Sequence, residues 1–299
     1  MLKESYTSAN AVPWKLLHHD LTILKPLHLQ LMPTYKCNAN CSWCSCKDVD
    51  RSLEFSIQEL KDIIDHFHKL GTVGVTVTGG GEPTIHPNFE ELMFYIPSKI
   101  GLITNGLSIK NTFKIIKSTC TWVRLSITNV LKYDVAKIIR FCNLIPNVDV
   151  GISFTVIDEP NFDLIKQVAN LKIPNLTHVR FVQDLFSTKF NAINEVKQIV
   201  DDSPIALIKK NEPTKGMNPC YISKLKPQVS ADGYVYPCCA MQHAIVAMRK
   251  MPTVMRMCHW TEFDLNSTFD GSICNACSFN NYNLFVHNLK NEPNHVEFI

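Results

Sequence analysis

The sequence predicts an α/β protein: a parallel sheet covered by helices, followed by a small cysteine-rich α+β extension. Three observations predict it. Between residues 27 and 203, short apolar runs rich in β-branched residues alternate with six stretches of helical period. Strands joined in this way by helices pair in parallel through right-handed crossovers. The two segments richest in chemistry, residues 37–46 and 79–83, each follow directly on such an apolar run, where parallel α/β folds carry their sites. After residue 204 the rhythm stops: Pro204, Pro213, Pro219, Pro227 and Pro237 interrupt the chain and cysteines return.

The elements follow in order. Residues 1–26 form an N-terminal extension, and residues 27–32 a strand that runs into the first cysteines. Ser56-x-x-Glu59 is a capping box, in which each side chain satisfies the other residue's backbone N–H, and it opens a helix to about residue 70. Residues 73–78 form a valine- and threonine-rich strand that ends at three glycines. A helix over 88–96, a strand over 100–104 and a helix over 111–118 come next. Strands at 122–127, 149–157 and 178–182 are interleaved with helices near 131–143, 161–171 and 189–200. The first domain is therefore placed at 27–203 and the extension at 204–299. Within the extension, Asp232-Gly233 between residues 228–230 and 234–236 signals a hairpin, because glycine takes the positive φ such a turn needs.

The chain has 299 residues, enough to bury a large core, with 45% hydrophobic and 19% charged residues. A net charge of +3 gives no argument for a nucleic-acid partner. Lys209, Lys210, Lys215, Lys224 and Lys226, with Tyr221 and Tyr234 nearby, read as a solvated surface in preference to a nucleic-acid site. No apolar stretch reaches the length of a membrane span, and the first residues lack a signal-peptide core. Twelve cysteines without a secretion signal point to a reducing compartment, so the expected location is the cytoplasm and the expected use of the thiols is metal chemistry.

Cys37, Cys41 and Cys44 stand at the spacing C-x3-C-x2-C. One short loop thus offers three thiolates to a cubane cluster with four irons, which leaves one iron open to another ligand; electron-transfer clusters usually close that position with a fourth cysteine. The other reading is a zinc knuckle using the C-x2-C pair, with Cys46 or the pair Cys274 and Cys277 completing a tetrahedron. Zinc does not account for the segment Gly79-Gly80-Gly81-Glu82-Pro83. That segment and the cysteine loop, with Trp43 directly before Cys44, resemble the radical S-adenosylmethionine (radical SAM) superfamily, whose loop is C-x3-C-x-aromatic-C followed by a GGEP-like turn.

The resemblance implies a partial (β/α)6 radical SAM barrel. It implies that Cys37, Cys41 and Cys44 hold a [4Fe–4S] cluster and that S-adenosylmethionine (SAM) binds its open iron, to be cleaved reductively to a 5′-deoxyadenosyl radical that abstracts hydrogen from a C–H bond. Gly79, Gly80 and Gly81 would let the backbone approach SAM, Glu82 would shape that turn, and Trp43 would pack near cluster or adenine. Asn105, Ser126 and Ile152 are further expected SAM contacts. Arg180 on the sixth strand is a candidate for a carboxylate or phosphate. An electron donor such as flavodoxin or ferredoxin is implied as partner, and no membrane.

In the extension, Cys220 is followed after twelve residues by Gly233 and after four more by Cys238, and then come Cys274 and Cys277. This looks like half of the SPASM extension of that superfamily, in its shorter twitch form. The likeness implies a second, auxiliary [4Fe–4S] cluster held by Cys220, Cys238, Cys274 and Cys277. Successive strand residues face opposite ways, so spacing favours Cys238 over Cys239; a zinc ribbon is the competing reading. Cys46, Cys120, Cys142 and Cys258 read as core or free thiols.

The expected activity is hydrogen abstraction from a small or nucleotide-like substrate, leading to oxidation or rearrangement. Isomerisation or modification of a nucleobase in DNA or RNA, maturation of a ribosomally made peptide, and a non-enzymatic zinc or iron–sulfur protein are the alternatives. The 36 residues before Cys37 and the 22 after Cys277 are short for a peptide-recognition domain, which lowers the maturase reading.

Overall fold

The computed structural model describes residues 23–127, 134–184, 186–187, 191–209, 214–245 and 249–290. Most of the expected N-terminal extension, together with Lys210 and the side chain of Lys209, lies outside them.

Seven parallel strands lie side by side in chain order: β1 (His28–Leu31), β2 (Gly74–Val77), β3 (Lys99–Thr104), β4 (Cys120–Ile127), β5 (Asp149–Val156), β6 (Leu176–Gln183) and β7 (Ala206–Lys209). Six helices connect them: α1 (Ile57–Leu70), α2 (Phe89–Tyr95), α3 (Ile109–Thr119), α4 (Val135–Leu144), α5 (Phe162–Ala169) and α6 (Asn191–Val200). This is the expected α/β fold with parallel pairing, an open barrel whose sheet ends at β7 on one side. The sheet runs one strand further than the six expected, because Ala206–Lys209, past residue 203, pairs with β6. Four residues after a proline carry too little periodicity to be read as a strand; the exposed edge of β6 supplies the pairing.

The α1 cap forms as the sequence requires. Ser56 N donates to Glu59 Oε2 at 2.7 Å, Glu59 N donates to Ser56 Oγ at 3.3 Å, and Gly71 ends the helix at φ 111°.

Strand alternation divides the barrel into two layers. Leu29, Leu31, Val75, Val77, Leu102, Val123, Leu125, Val150, Ile152, Phe154, Val179 and Phe181 are buried in one cluster with Leu60, Ile63, Phe67, Leu92 and Phe141 of the helices. Removing each such side chain from water contributes about 1.5–3 kcal/mol. The other face lines the lumen. Gln30, Thr76, Gly101 and Trp122 share one row; Ile103, Arg124, Gly151 and His178 share the next; Ser126, Ser153 and Arg180 share the third. Two glycines make room there. A side chain at Gly101 would collide with the Trp122 indole, and a Cβ at Gly151 would meet the His178 ring at 2.5 Å.

The extension continues the same sheet across β1. β8 (Gln228–Val229) pairs with β1 in parallel, β9 (Tyr234–Tyr236) turns back antiparallel, and β10 (Cys258–His259) lies outside β9. The hairpin turn falls where Asp232-Gly233 places it, with Gly233 at φ 85°. Short helices α7 (Ile222–Leu225) and α8 (Met241–Ala244) and the terminal α9 (Asn280–Lys290) complete the described chain. Among the described residues no helix is long and apolar enough to cross a membrane.

Candidate active site

Cys37, Cys41 and Cys44 sit on the loop that leaves the C-terminal end of β1, all half-buried. Burial raises the Cys37 thiol, and it pushes the Cys41 thiol up to about 11, helped by the neighbouring Cys44 and Cys37. Cys37 and Cys41 are thus held as neutral thiols beside their neighbours, and a cationic metal group would favour their thiolate form. Backbone N–H groups already point at two sulfurs, from Ala39 to Cys37 Sγ and from Cys46 to Cys44 Sγ, each at 3.4 Å. Trp43, between two ligand candidates, is half-buried in the same loop.

Arg51, unremarked in the sequence, ties this loop shut. Its guanidinium donates to Tyr35 O at 2.8 Å, Cys46 O at 2.9 Å and Gly80 O at 3.5 Å, joining both ends of the loop to the glycine turn. No spacing rule marks such an arginine, because its partners are backbone carbonyls. Cys46 is buried, as expected, and accepts from Gln242 Nε2 at 2.9 Å; the same amide donates to Ser45 O. Gln242 lies on α8, so the extension grips the cysteine loop directly.

Gly79, Gly80 and Gly81 end β2 against that loop. Gly81 N donates to Thr34 O at 3.1 Å and Glu82 N to Lys36 O at 2.8 Å. A Cβ at Gly80 would meet the Tyr35 ring at 2.5 Å, and one at Gly81 would collide with the Lys36 carbonyl. What requires glycine at these two positions is therefore contact with the cysteine loop itself, whatever else the turn approaches. Glu82 is buried, and its carboxylate accepts from Thr84 Oγ1 (2.6 Å), Thr84 N (3.1 Å), Thr104 Oγ1 (2.6 Å) and Asn105 N (2.7 Å). Burial raises its pKa while these four bonds pull it back. The carboxylate pins the ends of β2 and β3 together.

The expected SAM contacts divide in two. Asn105, at the end of β3, donates through Nδ2 to Asn38 Oδ1 at 2.8 Å, within the cysteine loop, and Ser126 faces the lumen beside Ser153. Both stand near the strand ends that carry the loop. Ile152 packs into the sheet–helix core, so only its main chain faces the lumen side; alternation along β5 turned its side chain away.

In the extension, Cys220, Cys238, Cys274 and Cys277 line one cavity whose other walls are mostly apolar, including Met217, Ile222, Phe269 and Phe279. Burial raises all four thiols. Phe279 N donates to Cys277 Sγ at 3.4 Å and Asn283 Nδ2 to Cys220 Sγ at 3.6 Å. Among the described residues no three Cys, His, Asp or Glu side chains converge as around a single metal ion. Four thiols lining one mostly apolar cavity are a donor set for a thiolate-bound group, an iron–sulfur cluster or zinc. Cys239, next to Cys238, is exposed and does not line this cavity. Two glycines bring the cysteine-bearing segments together: a Cβ at Gly271 would meet Met217 O at 2.5 Å and Cys220 Cβ at 3.2 Å, and one at Gly216 would collide with Gly271 O. Gly271→Ala is expected to lower the iron content of reconstituted protein by about four per chain, measured by colorimetric iron assay, while leaving the cysteine-loop site loaded.

Arg124 and Arg180 stand on lumen rows, and Lys226, expected on a solvated surface, is instead largely enclosed near them and near Cys238 and Cys239, because its strand-edge position turns it into the fold. Burial lowers all three pKa values, that of Arg124 to about 9, and for Arg124 the neighbouring Arg180 adds to the effect. His178 is lowered to about 4 by burial and then by these two arginines. His28 is lowered by burial and by Lys226, and its Nε2 lies 2.7 Å from Thr76 Oγ1. Cys239 acts on Arg124, Arg180 and Lys226, which sets the Cys238-Cys239 segment against the lumen.

Comparison with known proteins agrees with this arrangement. Residues 31–150 match the family described as the Radical SAM superfamily. Over 107 residues the chain is 34% identical to the mycofactocin maturase MftC of Mycolicibacterium smegmatis, covering 34% of this chain and 27% of that protein. Over 113 residues it is 29% identical to a GTP 3′,8-cyclase of Actinobacillus pleuropneumoniae, covering 35% and 31%. The chain thus spans about a third or less of these relatives' length. Streptococcus suis SuiB, in a crystal structure with the precursor peptide SuiA, shares the fold at a TM-score of 0.60 and 14% identity, over 82% of this chain and 65% of that one. The cysteine loop, the glycine turn it packs against and the first five strands of the open barrel fall within or beside the matched span: residues 31–150 of this chain carry a radical SAM domain.

Proposed function

We propose that the chain abstracts a hydrogen atom from a substrate held in the barrel lumen, and that its extension carries a second iron–sulfur cluster across the lumen from the first. One observation carries this reading. Three thiols sit at the strand ends of the barrel and four more surround a separate cavity, with the segment bearing Cys238 set against the lumen between them.

The radical SAM match over residues 31–150 implies a [4Fe–4S] cluster and SAM. In this reading Cys37, Cys41 and Cys44 hold the first cluster, which with SAM supplies a 5′-deoxyadenosyl radical. The chain's own residues do the rest. Arg51 and Gln242 hold the cysteine loop in place, Glu82 fixes the strand ends beneath it, and Asn105, Ser126, Ser153 and the main chain at Ile152 offer polar groups to SAM. Trp43 and the turn at Gly79–Gly81 flank it. The lumen wall of Trp122, Gly101, Gly151 and His178 restricts what can enter, so that the target hydrogen is positioned and competing donors are kept out. Cys220, Cys238, Cys274 and Cys277 close a second cluster with four thiolates, which suits it to accept an electron from a substrate radical. A flavodoxin- or ferredoxin-type donor would reach the first cluster over its half-exposed loop, and the twelve unpaired thiols suit a cytoplasmic setting.

Anaerobic reconstitution is expected to yield about eight irons per chain, and dithionite with SAM is expected to release 5′-deoxyadenosine. Zinc in place of iron and sulfide would overturn the reading. A small or nucleotide-like substrate remains the primary reading, and a GTP cyclase among the relatives supports it. The second reading, peptide maturation, draws on the maturase name of one relative and on the fold shared with SuiB. Faster deoxyadenosine release on adding a peptide encoded beside this chain would favour that second reading.

A further inference from the structure

Arg124 and Arg180 stand on adjacent lumen rows of β4 and β6, and Lys226, two residues before β8, lies close enough to feel both charges. All three are largely enclosed by the fold, and each keeps part of its surface accessible. None takes part in the ion pairs among the described residues, which join Lys36 to Glu54, Lys61 to Glu91, Lys137 to Asp134 and Arg256 to Asp232. Among the described residues, the Nε atoms of Arg124 and of Arg180 are fully enclosed without a hydrogen-bond partner, and Arg180 donates to Ser153 Oγ at 3.2 Å. Burying charge without a partner costs several kcal/mol per group, so such a set persists only if something else compensates it.

Among the described residues, two buried carboxylates are already engaged elsewhere. Glu82 is engaged with Thr84, Thr104 and Asn105, and Asp232 with Arg256 and Tyr236. The Cys239 thiol acts on all three cations, but one sulfur cannot match two guanidinium forks with five N–H donors each. Three neighbouring cations outnumber a single carboxylate, and two guanidinium forks suit oxyanions that offer several oxygens.

We infer that the lumen seats a doubly charged oxyanion of the substrate, a phosphoryl group or a pair of carboxylates, recognised by Arg124, Arg180 and Lys226. This rests on the reading of the lumen as the substrate site. It adds what composition could not show: the anion is held between the two thiol sets, so the rest of the substrate is directed toward the strand ends where the cysteine loop lies.

The test is calorimetric titration of the full-length, iron-reconstituted protein, with SAM present and at low salt, using inorganic phosphate, succinate and acetate as probes. Phosphate or succinate is expected to bind saturably and at least about tenfold more tightly than acetate, and Arg124→Gln or Arg180→Gln to weaken that binding at least about tenfold. Iron content and SAM affinity are expected to stay unchanged in both variants. Absence of saturable dianion binding to the wild-type protein overturns the inference, and needs no variant that might misfold. So does a tenfold loss of SAM affinity in the variants, which would assign the cations to the cofactor's own carboxylate. Preference for phosphate over succinate separates the two anion sources. Failure of the underlying reading shows elsewhere, as missing iron or missing deoxyadenosine in the wild type.

Discussion

Cys41→Ala is expected to remove about four irons per chain and to abolish deoxyadenosine release, while the four-thiol site of the extension stays loaded. The three loop thiols act as a unit. Cys41 lies between Cys37 and Cys44, and its pKa of about 11 reflects burial together with the charges of both neighbours. With one thiol gone, two ligands remain for a group that needs three. The loop backbone should survive the change, since Arg51 and Gln242 hold it through carbonyls and Cys46, not through Cys41. Iron assay, deoxyadenosine chromatography and a thermal melt on one preparation check all three parts. Retained deoxyadenosine release in Cys41→Ala would assign the chemistry to other ligands.

Gly81→Ala is expected to do comparable damage without touching a ligand. A methyl group at this position collides with the Lys36 carbonyl, which is backbone one residue from Cys37 and cannot swing aside as a flexible side chain could. Either the turn retreats, breaking the bonds from Gly81 N to Thr34 O and from Glu82 N to Lys36 O, or the cysteine loop is pushed outward. Overpacking of this kind costs about 1–3 kcal/mol, and the two bonds add about 1 kcal/mol each. The expected readouts are a lower melting temperature and loss of iron from the cysteine loop, with the extension site unaffected. Gly74→Ala is the control: its Cβ would find only Lys99 O at 3.8 Å, so it should melt near the wild type.

The contrast between Gly74 and Gly81 shows what a sequence reader can and cannot see. Gly74 opens β2 and Gly81 lies in the turn that follows it. Only the packing of a second loop, brought in by strand pairing, makes one of them indispensable. The same holds for Arg51, whose partners are main-chain carbonyls of residues up to 29 positions away and carry no side-chain signature. Ile152 is the converse case: a side chain named from its place in a motif is turned by strand alternation into the core, leaving its backbone as the only part that can serve.

Local chemistry settled much of the molecule before any fold was known. The capping box at Ser56, the positive-φ turn at Gly233, the order of strands and helices and the spacing of the first three cysteines depend on neighbours within a few residues, and short-range physics is written directly in the chain. Tertiary structure alone decided that β7 and β8 extend the sheet on either side and that Arg124, Arg180 and Lys226 come near one another. Those residues lie tens to more than a hundred positions apart. Their meeting follows from register across strands and from which face each side chain takes, and a one-residue change in either would scatter them.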